Sequence, residues 1–193
     1  GLLLMKEVKR VFVEKKNGFN ENSLYLLQEY QNFLGIRGLR NLRLINRYDL
    51  ELEGEEKDTI IGRIFPKSNS EIIYHDELPL SEDDFILTKE YHPGQFNPKL
   101  KGLIHLLRFL TKRENPLART AEIMILKGDL EKEDLETIKS YWLNPLEARP
   151  AQLEKPITLK PEFPKPQDVP VLEYFIHMNR QKTEKLYQEL GLA

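Results

Sequence analysis

Residues 11–20 read VFVEKKNGFN and residues 85–97 read FILTKEYHPGQFN, and these two stretches decide the predicted fold. Each begins as a short apolar strand, passes through charged residues and ends in a turn that contains glycine, phenylalanine and asparagine. A helix is predicted after each turn, over residues 21–34 and 98–110, because apolar side chains recur there at core-facing spacing. Asn97 as N-cap and Pro98 as first helical residue favour the start of the second helix.

The likeness between the two stretches continues along the chain. Predicted strands over residues 42–45 and 121–126 are each followed by Asp-Leu-Glu, at residues 49–51 and 129–131. A second helix is indicated in each segment by its apolar residues: Ile60, Ile61 and Ile64 in one, and Leu135, Ile138 and Trp142 in the other. Asp129 is the predicted N-cap of the latter helix, and residues 72–74 predict one further short strand.

We therefore predict an α+β domain over residues 1–147 in which a strand–helix–strand–helix unit occurs twice, over about residues 9–66 and 84–146. One unit alone could hardly bury both of its faces. We expect the two units to pack sheet against sheet or helix against helix, as a pseudo-dimer with antiparallel sheets.

A second region, residues 148–193, is predicted to be a linker domain. Six prolines fall between Pro150 and Pro170, so residues 150–170 are predicted to form an extended strap. We expect the strap to lie along a surface through Leu153, Leu159 and Phe163, and a floppy linker is the alternative. Two short helices are predicted over residues 171–190. The final residues, LGLA, and Gly1 in place of a methionine indicate a natural chain that continues past Ala193 and starts at Met5 or upstream of it.

Composition limits the classes of function. The 193 residues include 29 Lys and Arg against 31 Asp and Glu, and this balance argues against a dedicated nucleic-acid binder. Cysteine is absent, which excludes disulfides, thiolate metal sites and a cysteine nucleophile within this stretch. No apolar run approaches the length of about 20 residues that spans a bilayer. We expect a cytoplasmic chain with no membrane or nucleic-acid partner.

No constellation of residues predicts an active site. The histidines His75, His92, His105 and His177 lack metal-ligand spacing. The glycines at 35 and 38 are interpreted as a helix stop followed by a turn, because a phosphate-binding loop needs more glycines at fixed offsets. The acidic runs at residues 51–56 and 131–136 are interpreted as solvated helix starts. We therefore predict no catalytic, cofactor-binding or metal-ligating residue in this stretch.

The cluster Arg37, Arg40, Arg43 and Arg47 is the most notable charge feature. It could hold a phosphate or the acidic patch of a partner. It could equally be the solvent edge of a turn and a strand, and the second interpretation is preferred.

Several stretches together resemble the start of the large, single-chain phosphoribosylformylglycinamidine synthases of bacteria. They are residues 11–19 (VFVEKKNGF), 38–43 (GLRNLR), 46–49 (NRYD), 90–96 (EYHPGQF), 119–121 (RTA), 128–130 (GDL), 144–149 (NPLEAR) and 190–193 (LGLA). The resemblance covers nearly the whole chain after about residue 8. Residues 97–101, NPKLK, depart from the small, polar, arginine-containing segment that is common at that place in the family.

The resemblance implies a function that the residues alone do not. The family's full enzyme is a carbon–nitrogen ligase of purine biosynthesis that uses ATP, Mg²⁺ and glutamine to convert formylglycinamide ribonucleotide to its amidine. Its N-terminal domain is similar to a dimer of the small PurS subunit, bridges the synthetase and glutaminase domains of the same chain, and helps to form the ammonia passage. The glutaminase cysteine lies outside this stretch, so the resemblance carries no catalytic residue into it.

Two other hypotheses remain open. The chain could be a stand-alone interaction or ligand-sensing module built from a duplicated ferredoxin-like unit. It could also be a small enzyme that uses the arginine cluster to hold a phosphorylated substrate.

Overall fold

The computed structural model describes residues 5–161 and the backbone of residues 174–177. The elements are β1 (Lys6–Lys15), α1 (Glu21–Asn32), β2 (Leu39–Glu53), α2 (Lys57–Ile64), β3 (Glu71–His75), β4 (Asp84–Tyr91), α3 (Pro98–Thr111), β5 (Ala118–Gly128), α4 (Lys132–Trp142), β6 (Ala148–Arg149) and β7 (Tyr174–His177). The strands form an antiparallel sheet in the order β3-β1-β2-β5-β4-β6, and β7 also pairs with β4. The predicted α+β class is confirmed.

The first four elements, β1-α1-β2-α2, have the same types and order as β4-α3-β5-α4. Within each segment the two strands pair with each other, and the two segments meet where β2 pairs with β5. The segments share one continuous sheet, so the expected packing of sheet against sheet is wrong, whereas helices of the two segments do share cores. Pairing β2 with β5 satisfies backbone N–H and C=O groups that would otherwise remain open along two long strand edges.

The helices pack on one face of the sheet as two mixed pairs. Tyr30 of α1 lies in one core with Leu135 and Ile138 of α4. A second core joins α2 to α3 through Ile61 and Leu107. Each pair thus combines a helix from the first segment with a helix from the second, so both segments contribute to both cores.

The opposite face of the sheet carries no helix within the described residues. Its apolar centre consists of Phe12, Ile45, Ile86, Ile123 and Ile125. Residues 150–161 cross this face without regular secondary structure, with Leu153 packed on the apolar centre and Leu159 buried. Phe163, the third predicted anchor of the strap, lies outside the described residues.

Three local predictions around the acidic runs are wrong. Residues 49–51 lie inside β2, whereas residues 129–131 lie between β5 and α4, so the two Asp-Leu-Glu stretches are not equivalent. Glu131, not Asp129, is the N-cap of α4, and its backbone N–H donates to Asp134 Oδ2 at 2.9 Å. Glu51 is buried in the sheet and does not open a helix. The strand continues through these residues because Leu50 and Leu52 extend its apolar alternation.

The predicted helix over residues 171–178 is also corrected, because Tyr174–His177 is a strand. It pairs antiparallel with β4, with Tyr174 opposite Leu87 and His177 opposite Asp84. The sequence Tyr-Phe-Ile has strong strand propensity, and β4 offers an edge that can accept it. The second helix predicted in this region, after Asn179, lies outside the described residues.

Candidate functional site

The arginines that the sequence grouped together are separated by the structure. Arg37 and Arg40 are exposed, as the solvent-edge interpretation expects. Arg43 is half-buried and donates from Nε and Nη2 to the two carboxylate oxygens of Glu14, at 2.7 and 2.8 Å. Arg47 is buried. Arg43 and Arg47 fit neither the predicted solvent edge nor a site for a phosphate or an acidic partner. Alternation along β2 turns both side chains toward the face on which the described residues form no helix.

Arg47 belongs to a buried charge cluster with Arg10 and Asp49. Arg10 lies directly opposite Asp49 in the β1–β2 pair. It donates from Nε to Oδ1 at 2.7 Å and from Nη2 to Oδ2 at 3.0 Å, while Arg47 Nε lies 3.8 Å from Oδ2. One carboxylate therefore faces two guanidinium groups, all three side chains being at least nine-tenths buried.

Backbone carbonyl groups of the strap accept further hydrogen bonds from this cluster, although Arg47 Nε has no hydrogen-bond partner within residues 5–161. Arg10 Nη1 donates to the carbonyl oxygen of Leu153 at 2.6 Å, and its Nη2 lies 3.4 Å from that of Glu154. Arg47 Nη1 donates to the carbonyl oxygen of Gln152 at 2.7 Å. We refer to Arg10, Arg47 and Asp49 as the carbonyl clamp. Its second positive charge is compensated by carbonyl dipoles, because a buried charge needs hydrogen-bonding partners.

Polar contacts hold the strap on both sides of the carbonyl clamp. Thr88 Oγ1 donates to the carbonyl oxygen of Ala151 at 2.5 Å and accepts from the Ala151 N–H at 3.1 Å. Thr158 Oγ1 donates to Glu51 Oε1 at 2.7 Å. The strap is thus anchored from residue 151 to residue 158 by side chains of β4, β2 and β1.

The charge state of the carbonyl clamp follows from its surroundings. Burial, assisted by the neighbouring positive charge of Arg10, lowers the pKa of Arg47 to about 10, and Asp49 opposes this shift. Arg47 therefore remains a cation at neutral pH.

Glu51 Oε2 is buried and has no hydrogen-bond partner within residues 5–161.

A groove of about 990 Å³ opens on the helix-bearing face. Asn46 and Glu122 lie in its floor, where Lys99 donates to Asn46 Oδ1 at 2.7 Å and lies 3.5 Å from Glu122. Lys89 lies 3.4 Å from Glu122 and 4.3 Å from the centre of the Trp142 ring. The positive charges in this floor are therefore already paired with Glu122, so the groove is polar without being a strong anion site.

The histidines of the described region are not brought together. His75 and His105 are exposed, and His92 contacts the carbonyl oxygen of Pro145 through Nε2 at 2.7 Å. Among the residues that the structure describes, no group of three or more His, Asp or Glu side chains has a metal-holding arrangement. No helix in the same residues is both long and apolar enough to cross a membrane.

The sequence interpretation missed Arg10, Thr88, Glu51 and Thr158. One signal was present for Arg10, which alternates along β1 with Val8 and Phe12 and so shares their buried face. A charged residue at such a position predicts a buried pair. The strap contacts had no comparable signal, because the clamp binds main-chain carbonyl groups that every residue possesses.

Comparison with known proteins gives no relative, since the chain matches no protein-family model, curated protein or solved structure.

Proposed function

We propose that the chain is the N-terminal part of a large phosphoribosylformylglycinamidine synthase. In this proposal residues 1–147 are a duplicated, PurS-like domain and residues 148–193 are the linker domain. The region holds the synthetase and glutaminase domains of the full chain in a fixed relation, and ammonia passes between them. ATP and Mg²⁺ act in the synthetase domain, and this region contributes no catalytic residue.

The observation that carries the proposal is the junction between the two segments. Asn46 lies opposite Glu122 in the β2–β5 pair, and the two residues are 76 positions apart. Gly18 and Gly94 are also 76 positions apart, and both adopt left-handed φ angles, +92° and +87°. A two-fold relation requires equivalent residues to meet at its axis. Asn46 and Glu122 have the same 76-residue offset as the two glycines, so they are equivalent residues that meet at the junction. Their pairing supports a duplicated unit.

A second observation supports the bridging role. A domain that fixes the geometry of its neighbours needs a connection that does not swing. Residues 151–158 leave the second segment and are hydrogen-bonded to the first segment through Arg10, Arg47 and Glu51. The stretch NRYD, on which the resemblance partly rests, contains two of the three clamp residues.

The proposal is tested by comparing two activities of the full-length enzyme with those of a variant that lacks this region. We expect the deletion to reduce turnover with glutamine much more than turnover with free ammonia, because external ammonia bypasses the passage. Circular dichroism and thermal unfolding establish that the two proteins are equally folded. Equal loss of both activities would mean that the region only supports folding. Unchanged activities would contradict the bridging role.

The groove on the helix-bearing face favours one alternative, a stand-alone ligand-sensing module. Its floor presents Lys89, Lys99 and Glu122 together, as a site for a polar small molecule would. The reading frame separates the two functions. A stop codon soon after Ala193 would favour the sensing module, and a continuation into an ATP-binding synthetase would favour the bridge.

A further inference from the structure

We infer that Arg10, Arg47 and Asp49 are positioning residues, which lock the strap across the junction of the two segments and so set the geometry that the bridge transmits. The functional half of this inference rests on the proposed function. The structural half, that the carbonyl clamp holds the strap, stands independently of it.

The path of the strap runs from the second segment to the first. Ala151 is held by Thr88 on β4, in the second segment, whereas Leu153 is held by Arg10 on β1, in the first. Between these strands lie β5 and β2, whose pairing joins the segments. The strap therefore crosses the junction within a few residues, on the face opposite the helices. It braces the junction on a face where the described residues form no helix.

The clamp recognises the main chain of the strap. The clamp contacts the carbonyl oxygens of residues 152–154, and the side chains of Gln152 and Glu154 are exposed. The hydrogen bonds of the clamp itself depend on the guanidinium groups and on an extended backbone, while Leu153 adds apolar packing beside them. Prolines at 150 and 156 flank the gripped residues and favour that extended backbone.

The clamp is separate from the cores under the helices. The two cores under the helices use the other face of the sheet, through residues such as Leu87 and Leu50. Loosening the clamp can therefore release the strap while the sheet and helices remain folded. Substituting a residue that only stabilises the whole fold would instead loosen the strap, the sheet and the helices together.

The test uses the full-length enzyme with Arg47→Met, which removes the guanidinium group and keeps the length of the side chain. Arg43→Met is the matched control. Arg43 lies on the same strand and the same face of the sheet as Arg47, and it also pairs with a carboxylate, that of Glu14. Its other hydrogen bond is to the carbonyl oxygen of Pro79, which lies outside the strap. Amide hydrogen exchange in the strap, above all at Ala151, whose N–H donates to Thr88, is measured for both variants together with the ratio of glutamine-dependent to ammonia-dependent turnover.

We expect Arg47→Met to accelerate exchange in the strap by about tenfold or more while exchange in α1 and α4 stays unchanged. We also expect the turnover ratio to fall by about threefold or more, because misplacing one domain opens the passage to water. Arg43→Met should leave both quantities at their original values. If Arg47→Met does not fold, Arg47→Lys replaces it in the test. The lysine keeps the buried positive charge but supplies one ammonium group in place of the planar guanidinium group. We expect smaller changes in strap exchange and in the turnover ratio, in the same directions.

Unchanged strap exchange in a folded Arg47 variant would overturn the clamp. Faster strap exchange with an unchanged turnover ratio would overturn the positioning role. The deletion experiment decides the proposed function separately, because it alters the ratio whether or not the clamp holds the strap.

Discussion

Gly38 and Gly128 approach each other at the end of the β2–β5 pair so closely that neither has room for a Cβ atom. A Cβ on Gly38 would lie 2.0 Å from the carbonyl oxygen of Asp129, and one on Gly128 would lie 2.2 Å from the carbonyl oxygen of Gly38. The Asp129 N–H donates to that Gly38 oxygen at 3.0 Å. The two segments are therefore joined backbone to backbone at this end, without intervening side chains.

Gly38→Ala should destabilise the protein by about 2 kcal/mol or more, because the obstructing atoms belong to the backbone and cannot rotate away. Urea unfolding followed by circular dichroism measures the change. Gly62→Ala is the matched control, since a Cβ there meets nothing within 4 Å and lies inside α2. The control should stabilise by about 0.5–1 kcal/mol through helix propensity. Equal effects of the two substitutions would contradict the close approach.

Asp49→Asn should be strongly destabilising, by about 3–5 kcal/mol, because it leaves two buried guanidinium groups without their carboxylate. Chemical denaturation at neutral pH gives the free energy of unfolding. Glu71→Gln serves as the comparison, since Glu71 pairs with the exposed Lys15 at 3.2 Å and should lose only about 0–1 kcal/mol. A small effect at Asp49 would mean that the carbonyl groups of the strap suffice to hold both arginines.

Tyr30→Phe should leave stability unchanged or raise it by about 1 kcal/mol. The Tyr30 hydroxyl is fully buried without a hydrogen-bond partner in the described part of the chain, and burial raises the pKa of Tyr30. Tyr74→Phe is the converse, since its hydroxyl donates to Glu14 Oε1 at 2.9 Å, and a loss of about 1 kcal/mol is expected. Thermal unfolding of both variants tests the pair, and a clearly destabilised Tyr30→Phe would reveal a partner for that hydroxyl.

Glu51→Gln should raise the free energy of unfolding by about 1 kcal/mol, because it removes a buried charge whose Oε2 has no partner among the described residues. The amide oxygen can still accept the hydrogen bond from Thr158. Thr158→Val removes that donor and should lower stability and accelerate amide exchange in the strap. If Glu51→Gln destabilises the protein instead, the carboxylate has a cationic partner elsewhere in the chain.

The sequence predicted local features well. Asn97 caps α3 as expected, with its side chain accepting from the Leu100 N–H at 3.2 Å. The four helices of the two segments were found because apolar spacing and helix starts are encoded within a few residues. The acidic run at residues 51–56 misled the interpretation, because a strand that continues into charged residues has no distinctive local pattern.

The arrangement of the segments was not predictable in the same way. The β2–β5 register joins residues such as Ile45 and Ile123, and nothing in either strand specifies the other as its partner. The carbonyl clamp joins Arg10 to residues 153 and 154, which lie 143 and 144 positions further along the chain. Contacts of this kind depend on the assembled sheet, so the cluster of arginines in the sequence gave a misleading picture of which side chains act together.

The central position of β2 has a consequence for the order in which the chain is synthesised. Its partner β5 follows it by about the length of one complete segment. One edge of β2, which is fifteen residues long, therefore remains unpaired until β5 has been synthesised. Open edges invite pairing with other chains, and positive charges along them oppose it. Arg40, Arg43 and Arg47 all lie on this edge. Three arginines thus lie along the strand that waits longest for its partner, before Arg47 is enclosed beneath the strap.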